Sequence, residues 1–343
     1  MSINVYYYRQ LYVLFAVVYE KVKEKLNKGK ENKKMQRAKQ KKKRTGLKIF
    51  LSVLIVLVLG IVGYGYSIFH NVNKAVNTVH KPIERTPEVK RPSALSLQEK
   101  EPFSVLMLGV DERAGDKGRS DTMVVITVNP ETNSMEMLSI PRDTRVEIVG
   151  HGTTDKINHA YAFGGVEMSM NTVEKFLDIP IDYYIKMNMD GFKDIVNAVG
   201  GITVNNDLEF SQDGHPFAKG KIDLDGDAAL SYARMRKQDA RGDFGRQMRQ
   251  RQVIEGVMNK GANISALWKY DDVLKALSNN VETNLAMDDM VDIQKNYAGA
   301  RHKIEQLEIK GSGSTIGGVW YYIVADDERT NIQTHLKEHL GLS

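Results

Sequence analysis

One uncharged segment constrains the fold of this chain more than any other feature. Residues 49–69, IFLSVLIVLVLGIVGYGYSIF, are 21 consecutive residues without Asp, Glu, Lys or Arg. At about 1.5 Å per helical residue, such a segment spans a hydrocarbon core of roughly 30 Å. A cleavable signal peptide is the alternative, but its apolar region is usually about 7–15 residues long. The longer run, with Tyr64, Tyr66 and Phe69 near its end, predicts a transmembrane signal-anchor helix.

The charges that flank this segment predict its orientation in the membrane. Between Lys21 and Lys48 there are 14 Lys or Arg residues and two Glu residues, and KKKR lies shortly before the span. Basic residues favour the cytoplasmic side of a membrane. Residues 1–48 are therefore predicted to be a basic cytoplasmic segment, and everything after the span is predicted to be extracellular. Either Met1 or Met35 fits as the start, since KKKR and the span follow both.

The overall charge describes this basic segment rather than the rest of the chain. The full sequence has a net charge of +5 and a pI near 9.0. However, 15 of the 48 basic residues and three of the 43 acidic residues precede the span, so the remainder is net acidic by about seven charges. A general positive field that attracts nucleic acid is therefore excluded for the outer part. The chain has no cysteine, which excludes disulfides and thiol chemistry.

The part after the span divides into a linker and a folded domain. Residues 70–102 are polar and contain four prolines, which interrupt any long helix. After them, hydrophobic runs typical of strands alternate with amphipathic runs typical of helices up to the C-terminus. This pattern predicts one extracellular α/β domain over residues 103–343, in which helices cover both faces of a central mixed sheet.

Six arginines are concentrated in residues 232–252, YARMRKQDARGDFGRQMRQRQ. In the helix predicted here, the apolar face continues back through Gln250 to Arg246 in the first turn. A guanidinium at that end of a helix is unfavourable unless an anion binds there. The planar fork of arginine matches phosphate oxygens, so the cluster predicts a phosphate or pyrophosphate site. The alternative is a network of structural salt bridges with Asp239 and Asp243.

A second group of charged residues lies at the ends of three neighbouring predicted strands. Asp111 follows the first strand, Arg119 and Asp121 open the second, and Arg142 and Asp143 close the third. Carboxylates together with phosphate oxygens are the ligands that Mg²⁺ prefers, and carboxylates can also act as general bases. The group therefore predicts a Mg²⁺-assisted phosphate site, although an Asp taken singly is more often a turn or cap residue.

Two further patterns predict no chemistry. His335 and His339 have helical i, i+4 spacing, but HLKEH lacks both the HExxH order and a third ligand, so surface histidines are predicted. The glycine-rich stretch GSGSTIGG at residues 311–318 resembles neither a P-loop nor a dinucleotide fingerprint, and it is predicted to be a loop.

Several motifs together resemble the LytR-CpsA-Psr family of cell-wall glycopolymer transferases. They are, in order, LMLGVDERAGDKGRSDTMVVITVNPETNSMEMLSIPRDTRVEI, DKINHAYAFGG, VNAVGGITVNN and LDGDAALSYARMRKQDARGDFGRQMRQRQVI. The resemblance covers about residues 103–261, and its most specific part is SIPRD combined with YxRxR and DxGRxxRQ. The tail beyond Asn263 carries little of this signal.

The resemblance implies a Mg²⁺-dependent phosphotransferase that acts outside the membrane and is held there by a single-pass anchor. It would move an anionic glycopolymer, such as wall teichoic acid or capsule, from polyprenyl pyrophosphate to a sugar hydroxyl of peptidoglycan. At the matching positions, Asp111 and Asp121 would hold Mg²⁺, and Asp243 and Gln250 would complete the pocket. The arginines that would bind the pyrophosphate are Arg119, Arg142, Arg234, Arg236 and Arg246. The implied catalytic set is Asp121, Arg142, Arg234, Arg236 and Asp243.

Two other classes of protein remain open at this stage. One is a membrane-anchored regulatory or attenuator protein, in which only the basic cytoplasmic segment can contact DNA. The other is a hydrolase that releases the polymer with water as the acceptor. The same carboxylates and arginines serve both transfer and hydrolysis.

We expect a reporter fused after Ser343 to be active only outside the membrane, because the basic run holds the N-terminus in the cytoplasm. Deleting residues 1–34 should not change this result, since KKKR and the span remain. An alkaline phosphatase fusion, active only outside, and a green fluorescent protein fusion, fluorescent only inside, measure the orientation. Fluorescence of the second fusion would contradict the predicted topology.

Overall fold

The structure is a computed structural model, and it describes residues 19–21, 23–25, 27–28, 30, 78–83, 91, 93–112, 118–261 and 280–342. The chain divides into two units, Met1–Phe69 and His70–Ser343. In the first unit the described residues are helical and exposed, and Lys28 donates a hydrogen bond to Glu24 at 2.7 Å. No helix in the described part of the chain has the length and apolar character that crossing a membrane requires. The predicted span at 49–69 lies outside the described residues.

The second unit alternates strands and helices. Its strands are β1 (Phe103–Val110), β2 (Ser120–Asn129), β3 (Ser134–Ser139), β4 (Arg145–Ile148), β5 (Thr153–Lys156), β6 (Tyr183–Met187), β7 (Ile202–Asn206), β8 (Phe210–Gln212), β9 (His215–Phe217), β10 (Gly220–Leu224), β11 (Val281–Thr283), β12 (Ile304–Glu308), β13 (Ser312–Ile316) and β14 (Val319–Ile323). Its helices are α1 (His159–Leu177), α2 (Met189–Ala198), α3 (Gly226–Arg234), α4 (Asp243–Gly261), α5 (Met287–Asn296) and α6 (Asp326–His339).

Six of these strands form a central sheet in the order β11-β6-β1-β2-β3-β12. The β1 strand pairs antiparallel with β2 and parallel with β6, and β2 pairs antiparallel with β3. At the two sides of the sheet, β11 runs antiparallel to β6, and β12 runs parallel to β3. The sheet is therefore mixed, as the sequence predicts.

Helices cover both faces of this sheet, which explains why β1 and β2 have nearly continuous apolar sequences. Side chains alternate along β1, so that Leu106 lies in the core cluster formed with α1 and α6. Its neighbour Val105 lies in the opposite cluster, against which Ile254 of α4 and Ile293 of α5 pack. The prediction of an α/β fold with three layers is confirmed.

A third hydrophobic cluster joins α2, α3 and α4 to the antiparallel pair of β7 and β10. Both shorter helices begin at side-chain caps, because Asn188 accepts a hydrogen bond from the N–H of Gly191, and Asp225 accepts one from the N–H of Ala228. The hydroxyl of Tyr232 in α3 donates to Gln252 of α4 at 2.7 Å. These contacts hold α3, α4 and the connection between them, which together carry the arginine cluster, in a defined place.

The described residues of the segment 70–102 pack onto this unit despite its prolines. Val79 and Leu97 are buried, with 3% and 6% of their surfaces exposed. The guanidinium of Arg91 binds the carboxylate of Asp182 through Nε at 2.5 Å, and both side chains are nearly buried. These residues therefore contribute to the packing of the folded unit, although the polar, proline-containing composition of the segment does not indicate it.

The prediction of a loop at residues 311–318 is wrong, because these residues belong to a β-hairpin formed by β13 and β14. Its two-residue turn consists of Gly317 and Gly318, whose φ angles of 58° and 83° are those that glycine adopts without strain. Serine and glycine have weak strand propensity, which concealed β13 in the sequence. The backbone N–H of Tyr322 donates to the carbonyl of Asp143 at 2.9 Å, so the hairpin lies beside the segment that follows β3.

The prediction of surface histidines is wrong for His339, whose side chain is only 7% exposed. Its Nδ1 lies 2.8 Å from the hydroxyl of Thr127, and its Nε2 lies 2.9 Å from that of Ser134. Burial lowers the pKa of His339 to about 4, so this histidine is a neutral part of the core. His335 is 43% exposed and lies 3.1 Å from Glu136.

Candidate active site

The strand register brings the predicted strand-end residues to one edge of the sheet. The ladder of β1 and β2 shifts register between Gly109 and Val110, and the N–H groups of Asp111 and Asp121 both donate to the carbonyl of Arg119. Both aspartates line the same cavity. From the segment after β3, Nη1 of Arg142 reaches within 3.0 Å of Oδ1 of Asp121.

The cavity beside these carboxylates has a volume of about 280 Å³. The strand end and the first turns of α4 both contribute polar groups to it, and the remaining wall is formed mainly by apolar residues of β1, β6 and α2. The charged and polar lining residues are Asp111, Asp121, Arg234, Arg246, Gln250 and Asn188. Arg246 and Gln250 are one helical turn apart, so one face of α4 turns toward the strand-end aspartates.

Arg246 is the most deeply placed cation of this site, with 12% of its side chain exposed. Its Nη2 lies 2.7 Å from Oδ1 of Asp243 in the same helical turn. Its Nε–H is buried and has no hydrogen-bond partner among the described residues. Burial lowers the pKa of Arg246, Asp243 opposes that effect, and the neighbouring charges of Arg142 and Arg236 lower the pKa further. A buried donor among like charges is the environment that an anion stabilises.

A second cavity, of about 460 Å³, lies beside the first and is lined mainly by polar groups. Its lining residues are Pro141, Arg142, Asp143, Lys156, Arg236, Asp243, Phe244, Gln247, Trp320 and Tyr322. The Nζ of Lys156 lies 2.7 Å from Asp143, and the side-chain amide of Gln247 donates to Asp243 at 3.2 Å. This cavity is therefore rich in oriented donors and acceptors.

Two ion pairs separate these cavities, and we call them the charged seam: Arg142 with Asp121, and Arg246 with Asp243. Asp121 and Arg246 line the first cavity, whereas their partners Arg142 and Asp243 line the second. Burial lowers the pKa of Arg142, but Asp121 and then Asp143 outweigh it, so that the pKa is raised. A ligand held at the seam contacts both cavities.

A third cavity, of about 390 Å³, lies between the sheet and the helices α2, α4 and α5. Its wall is almost entirely apolar, with a single Thr among its lining residues. It shares four lining residues with the first cavity, Met107, Met187, Phe192 and Ile254. The charged seam is therefore connected through the first cavity to an apolar space inside the fold.

The six arginines of residues 232–252 divide into two groups. Arg234, Arg236 and Arg246 line the cavities described above. The other three, Arg241, Arg249 and Arg251, form structural salt bridges. The alternative of a structural network therefore describes half of the cluster, and Asp239 rather than Asp243 is its centre.

Asp239 and Arg249 form a buried ion pair in the connection between α3 and α4, with 2% and 0% of their side chains exposed. The Nη1 of Arg249 lies 2.7 Å from Oδ2 of Asp239, and its Nη2 donates to the carbonyl of Met235 at 2.7 Å. Arg241 binds the same carboxylate through Nε and Nη2, each at 2.9 Å. A side chain at Gly245 would put its Cβ 2.0 Å from Asp239, which explains the glycine in the DxGRxxRQ motif.

One residue that was predicted for the site lies apart from the cavities. Two residues that the sequence did not single out line the second cavity. Arg119 is exposed and lines neither cavity, although its carbonyl accepts hydrogen bonds from the N–H groups of Asp111 and Asp121. Lys156 and Gln247 are the additions. The helical position of Gln247, one turn after Asp243, could have indicated its role, but nothing in the sequence indicates that Lys156 reaches Asp143.

The donor set fits a shared Mg²⁺ site rather than a self-contained one. Asp111 and Asp121 line one cavity with cationic groups that suit a phosphate, and Mg²⁺ usually takes one or two carboxylates together with phosphate oxygens and water. Within the described ranges, no group of three His, Asp or Glu is arranged to hold a metal by itself.

Paired carboxylates and arginines beside an apolar cavity are an arrangement that suits a phosphorylated group attached to an apolar chain. The LytR-CpsA-Psr family model matches residues 66–338, and the chain belongs to this family. This confirms the resemblance predicted from its motifs.

The relatives include curated proteins and solved structures. The Bacillus subtilis (strain 168) protein named polyisoprenyl-teichoic acid–peptidoglycan teichoic acid transferase TagU is 52% identical over 306 residues, which cover 89% of this chain and 99% of TagU. The crystal structure of B. subtilis TagU, at 52% identity, covers 70% of this chain and 97% of its own, with a TM-score of 0.59. A crystal structure of an Enterococcus faecalis protein titled a transcriptional regulator is 43% identical, covers 73% of this chain and 92% of its own, and has a TM-score of 0.67.

Replacing Asp239 with Asn should lower the free energy of unfolding by about 3–5 kcal/mol, because Arg249 then stays buried without its counter-ion. Hydrogen bonds from Arg241 lower the pKa of Asp239 most, burial opposes them, and Arg249 lowers the pKa further. The stabilisation is therefore fully present above about pH 4 and is lost as the pH falls further. Urea titrations at pH 6 and pH 3 should show a smaller loss on acidification for Asp239→Asn than for the unaltered protein.

Asp207→Asn is the matched control, since Asp207 also binds Arg241 but is 45% exposed. It should cost less than about 1 kcal/mol. Equal costs for the two variants at pH 6 would show that the buried pair does not organise this turn.

Proposed function

We propose that this chain transfers an anionic glycopolymer from a polyprenyl pyrophosphate carrier to a sugar hydroxyl of peptidoglycan, forming a phosphodiester in cell wall assembly. The observation that carries the proposal is the charged seam, which lies between a cavity that opens to an apolar space and a cavity rich in polar groups. The name of the B. subtilis relative supports the same substrates.

In this proposal the parts of the donor substrate occupy different surroundings according to their chemistry. The pyrophosphate binds at the seam, where Arg142, Arg234, Arg236 and Arg246 supply donors and positive charge. The buried Nε–H of Arg246 donates to a phosphate oxygen and thereby gains the acceptor that it lacks. The prenyl chain extends through the first cavity into the apolar third cavity, where its burial is favourable.

The reaction is an attack of the acceptor hydroxyl on the phosphorus nearest the donor sugar. One P–O bond forms to the acceptor, the bridging P–O bond breaks, and prenyl phosphate leaves with the bridging oxygen. Asp243 lines the polar cavity beside the seam and accepts the proton of the attacking hydroxyl, while Arg246 binds its Oδ1 and Gln247 donates to its Oδ2. Positioning and charge neutralisation supply most of the catalysis in phosphoryl transfer, and an arginine-rich seam provides both.

Asp111 and Asp121 would hold Mg²⁺, which supplies further neutralisation of the pyrophosphate charge. Arg142 then binds Asp121 from the side of the second cavity and keeps that carboxylate oriented. Arg119 contributes its backbone carbonyl, which accepts hydrogen bonds from the N–H groups of both aspartates.

The site operates on the outer face of the cell membrane, held there by the anchor predicted at residues 49–69. Carboxylates and arginines between a polar and an apolar cavity are not required for a regulatory protein that binds DNA. Hydrolysis uses the same groups as transfer, so the acceptor distinguishes the two activities.

The proposal is tested by incubating the purified full-length protein in detergent with a prenyl-pyrophosphate-linked glycopolymer and peptidoglycan oligomers. We expect a phosphodiester-linked product that requires Mg²⁺ and disappears with excess chelator. Asp111→Asn and Asp121→Asn should each lower its rate at least about a hundredfold, since each removes a ligand charge next to the phosphates. Free phosphorylated polymer without linked product would identify a hydrolase, and full activity in chelator would exclude the metal.

Replacing Arg236 with Ala should leave the melting temperature of the free protein unchanged or raise it, because Arg236 repels Arg246. The same change should shrink the thermal shift produced by a prenyl pyrophosphate, since a hydrogen bond to a charged group contributes about 1.5–3 kcal/mol. Lysine at this position should restore only part of the shift, because it lacks the bidentate fork.

Arg241→Ala provides a control of the same residue type, since Arg241 belongs to the structural network around Asp239. It should lower the melting temperature of the free protein and leave the ligand-induced shift intact. The opposite pattern in the two variants would refute the assignment of these arginines.

A further inference from the structure

The second cavity carries an aromatic side chain that the reaction at the seam does not use. Trp320 lines this cavity together with Lys156, Arg236 and Gln247, and 48% of its surface is exposed. A large exposed aromatic side chain next to oriented polar groups is typical of a binding surface rather than of a core. The hairpin that carries it was expected to be a loop without chemistry.

The hairpin of β13 and β14 holds the indole ring in one place. Trp320 pairs with Thr315, and Gly313 lies two residues further along β13 on the same face. A Cβ at Gly313 would lie 2.8 Å from Nε1 of Trp320 and 3.0 Å from its Cζ2, so the ring lies directly over this glycine. Glycine at this position therefore gives the ring a flat support.

The hairpin is attached to the seam itself. Tyr322 lies on the same face of β14 as Trp320, and its N–H donates to the carbonyl of Asp143 at 2.9 Å. Its ring packs edge-on against Phe244 at the start of α4, with centroids 5.8 Å apart. Trp320 is thus placed relative to Arg142 and Asp243 by contacts on both sides of the cavity.

We propose that this cavity, with Trp320 as its platform, binds a pyranose ring of the acceptor glycan strand. A sugar ring has an apolar C–H face, which fits the negative face of an indole ring, and a hydroxyl rim, which fits the donors and acceptors of Lys156, Asp143 and Gln247. This inference rests on the proposed function, because only the transfer reaction requires a second glycan.

The direction of the reaction assigns the cavity to the acceptor rather than to the lipid. In phosphoryl transfer, the attacking and leaving oxygens lie roughly in line with the phosphorus. The leaving prenyl phosphate departs into the first cavity, which continues into the apolar space. The attacking hydroxyl therefore approaches from the opposite side of the seam, and that side is the cavity that contains Trp320.

Kinetics of full-length variants test this inference. Trp320→Ala should raise the KM for peptidoglycan oligomers about tenfold, a change of ~1.4 kcal/mol, with the KM for the lipid-linked donor and kcat at saturating acceptor unchanged. Trp320→Phe should raise it less, since a smaller aromatic face remains. Gly313→Ala should also raise it, because the added methyl group displaces the ring. Val319→Ala is the matched control, as Val319 is 42% exposed on the other face of the same strand, and it should behave as the unaltered protein.

A binding measurement separates this inference from the proposed function. The chain has two tryptophans, so Trp268→Phe leaves Trp320 as the only indole fluorophore. Titration with a β-1,4-linked N-acetylglucosamine tetramer should change its fluorescence to saturation, whereas phosphatidylglycerol vesicles should not. Such a change in a protein that transfers nothing would support the sugar site and refute the proposed function.

Three results would overturn the inference. The first is an unchanged acceptor KM in Trp320→Ala of a protein that transfers normally. The second is an equal rise in the donor KM, which would place the donor sugar on the ring. The third is a fluorescence response to vesicles but not to the sugar tetramer, which would make the hairpin a lipid contact.

Discussion

The buried ion pair between Asp239 and Arg249 is the interaction on which the site depends. It lies where the chain passes from α3 to α4, and it is shielded from water on all sides. A buried charge needs its counter-ion and further hydrogen bonds, which Met235 and Arg241 supply here. Since this turn determines where α3 ends and α4 begins, it also determines where the guanidinium groups of Arg234 and Arg246 lie.

The same turn explains how a short stretch can hold six arginines. Three of them, Arg241, Arg249 and Arg251, are paired with carboxylates that line none of the three cavities described above. The remaining three line the cavities beside the charged seam, where Asp243 binds Arg246 while Asp121 binds Arg142. The arginines of one motif are therefore divided between structural ion pairs and the cavity walls by the partners that the fold places beside them rather than by residue type.

Sequence patterns predict the central sheet, its covering helices and the convergence of Asp111, Asp121 and Arg142, because strand alternation and antiparallel pairing determine which strand ends meet. They do not predict which arginines are structural, since a motif such as RQMRQRQ places cations on every side of a helix. Lys156 stayed hidden for a similar reason, because its contact with Asp143 depends on the pairing of two short strands, β4 and β5.

The hairpin of β13 and β14 was missed because its sequence is rich in serine and glycine, which have weak strand propensity. What stabilises it is tertiary contact, through the hydrogen bond from Tyr322 to Asp143 and the packing of Tyr322 on Phe244. Its glycines serve two separate purposes, the turn at 317–318 and the flat support for Trp320 at Gly313. Composition does not indicate the second of these roles, because it depends on Trp320, which lies diagonally across the ladder from Gly313.

The charge arrangement at the seam also bears on the direction of the proposed reaction. A pyrophosphate brings two negative phosphoryl groups to the place where Arg142, Arg236 and Arg246 repel one another, so it relieves that repulsion most fully. After transfer, one phosphoryl group leaves with the acceptor glycan and the other stays on the lipid. The phosphodiester formed on the acceptor glycan then carries a single negative charge, so the seam attracts it less strongly than the pyrophosphate. Release of this product and of prenyl phosphate restores the repulsion that draws in the next pyrophosphate.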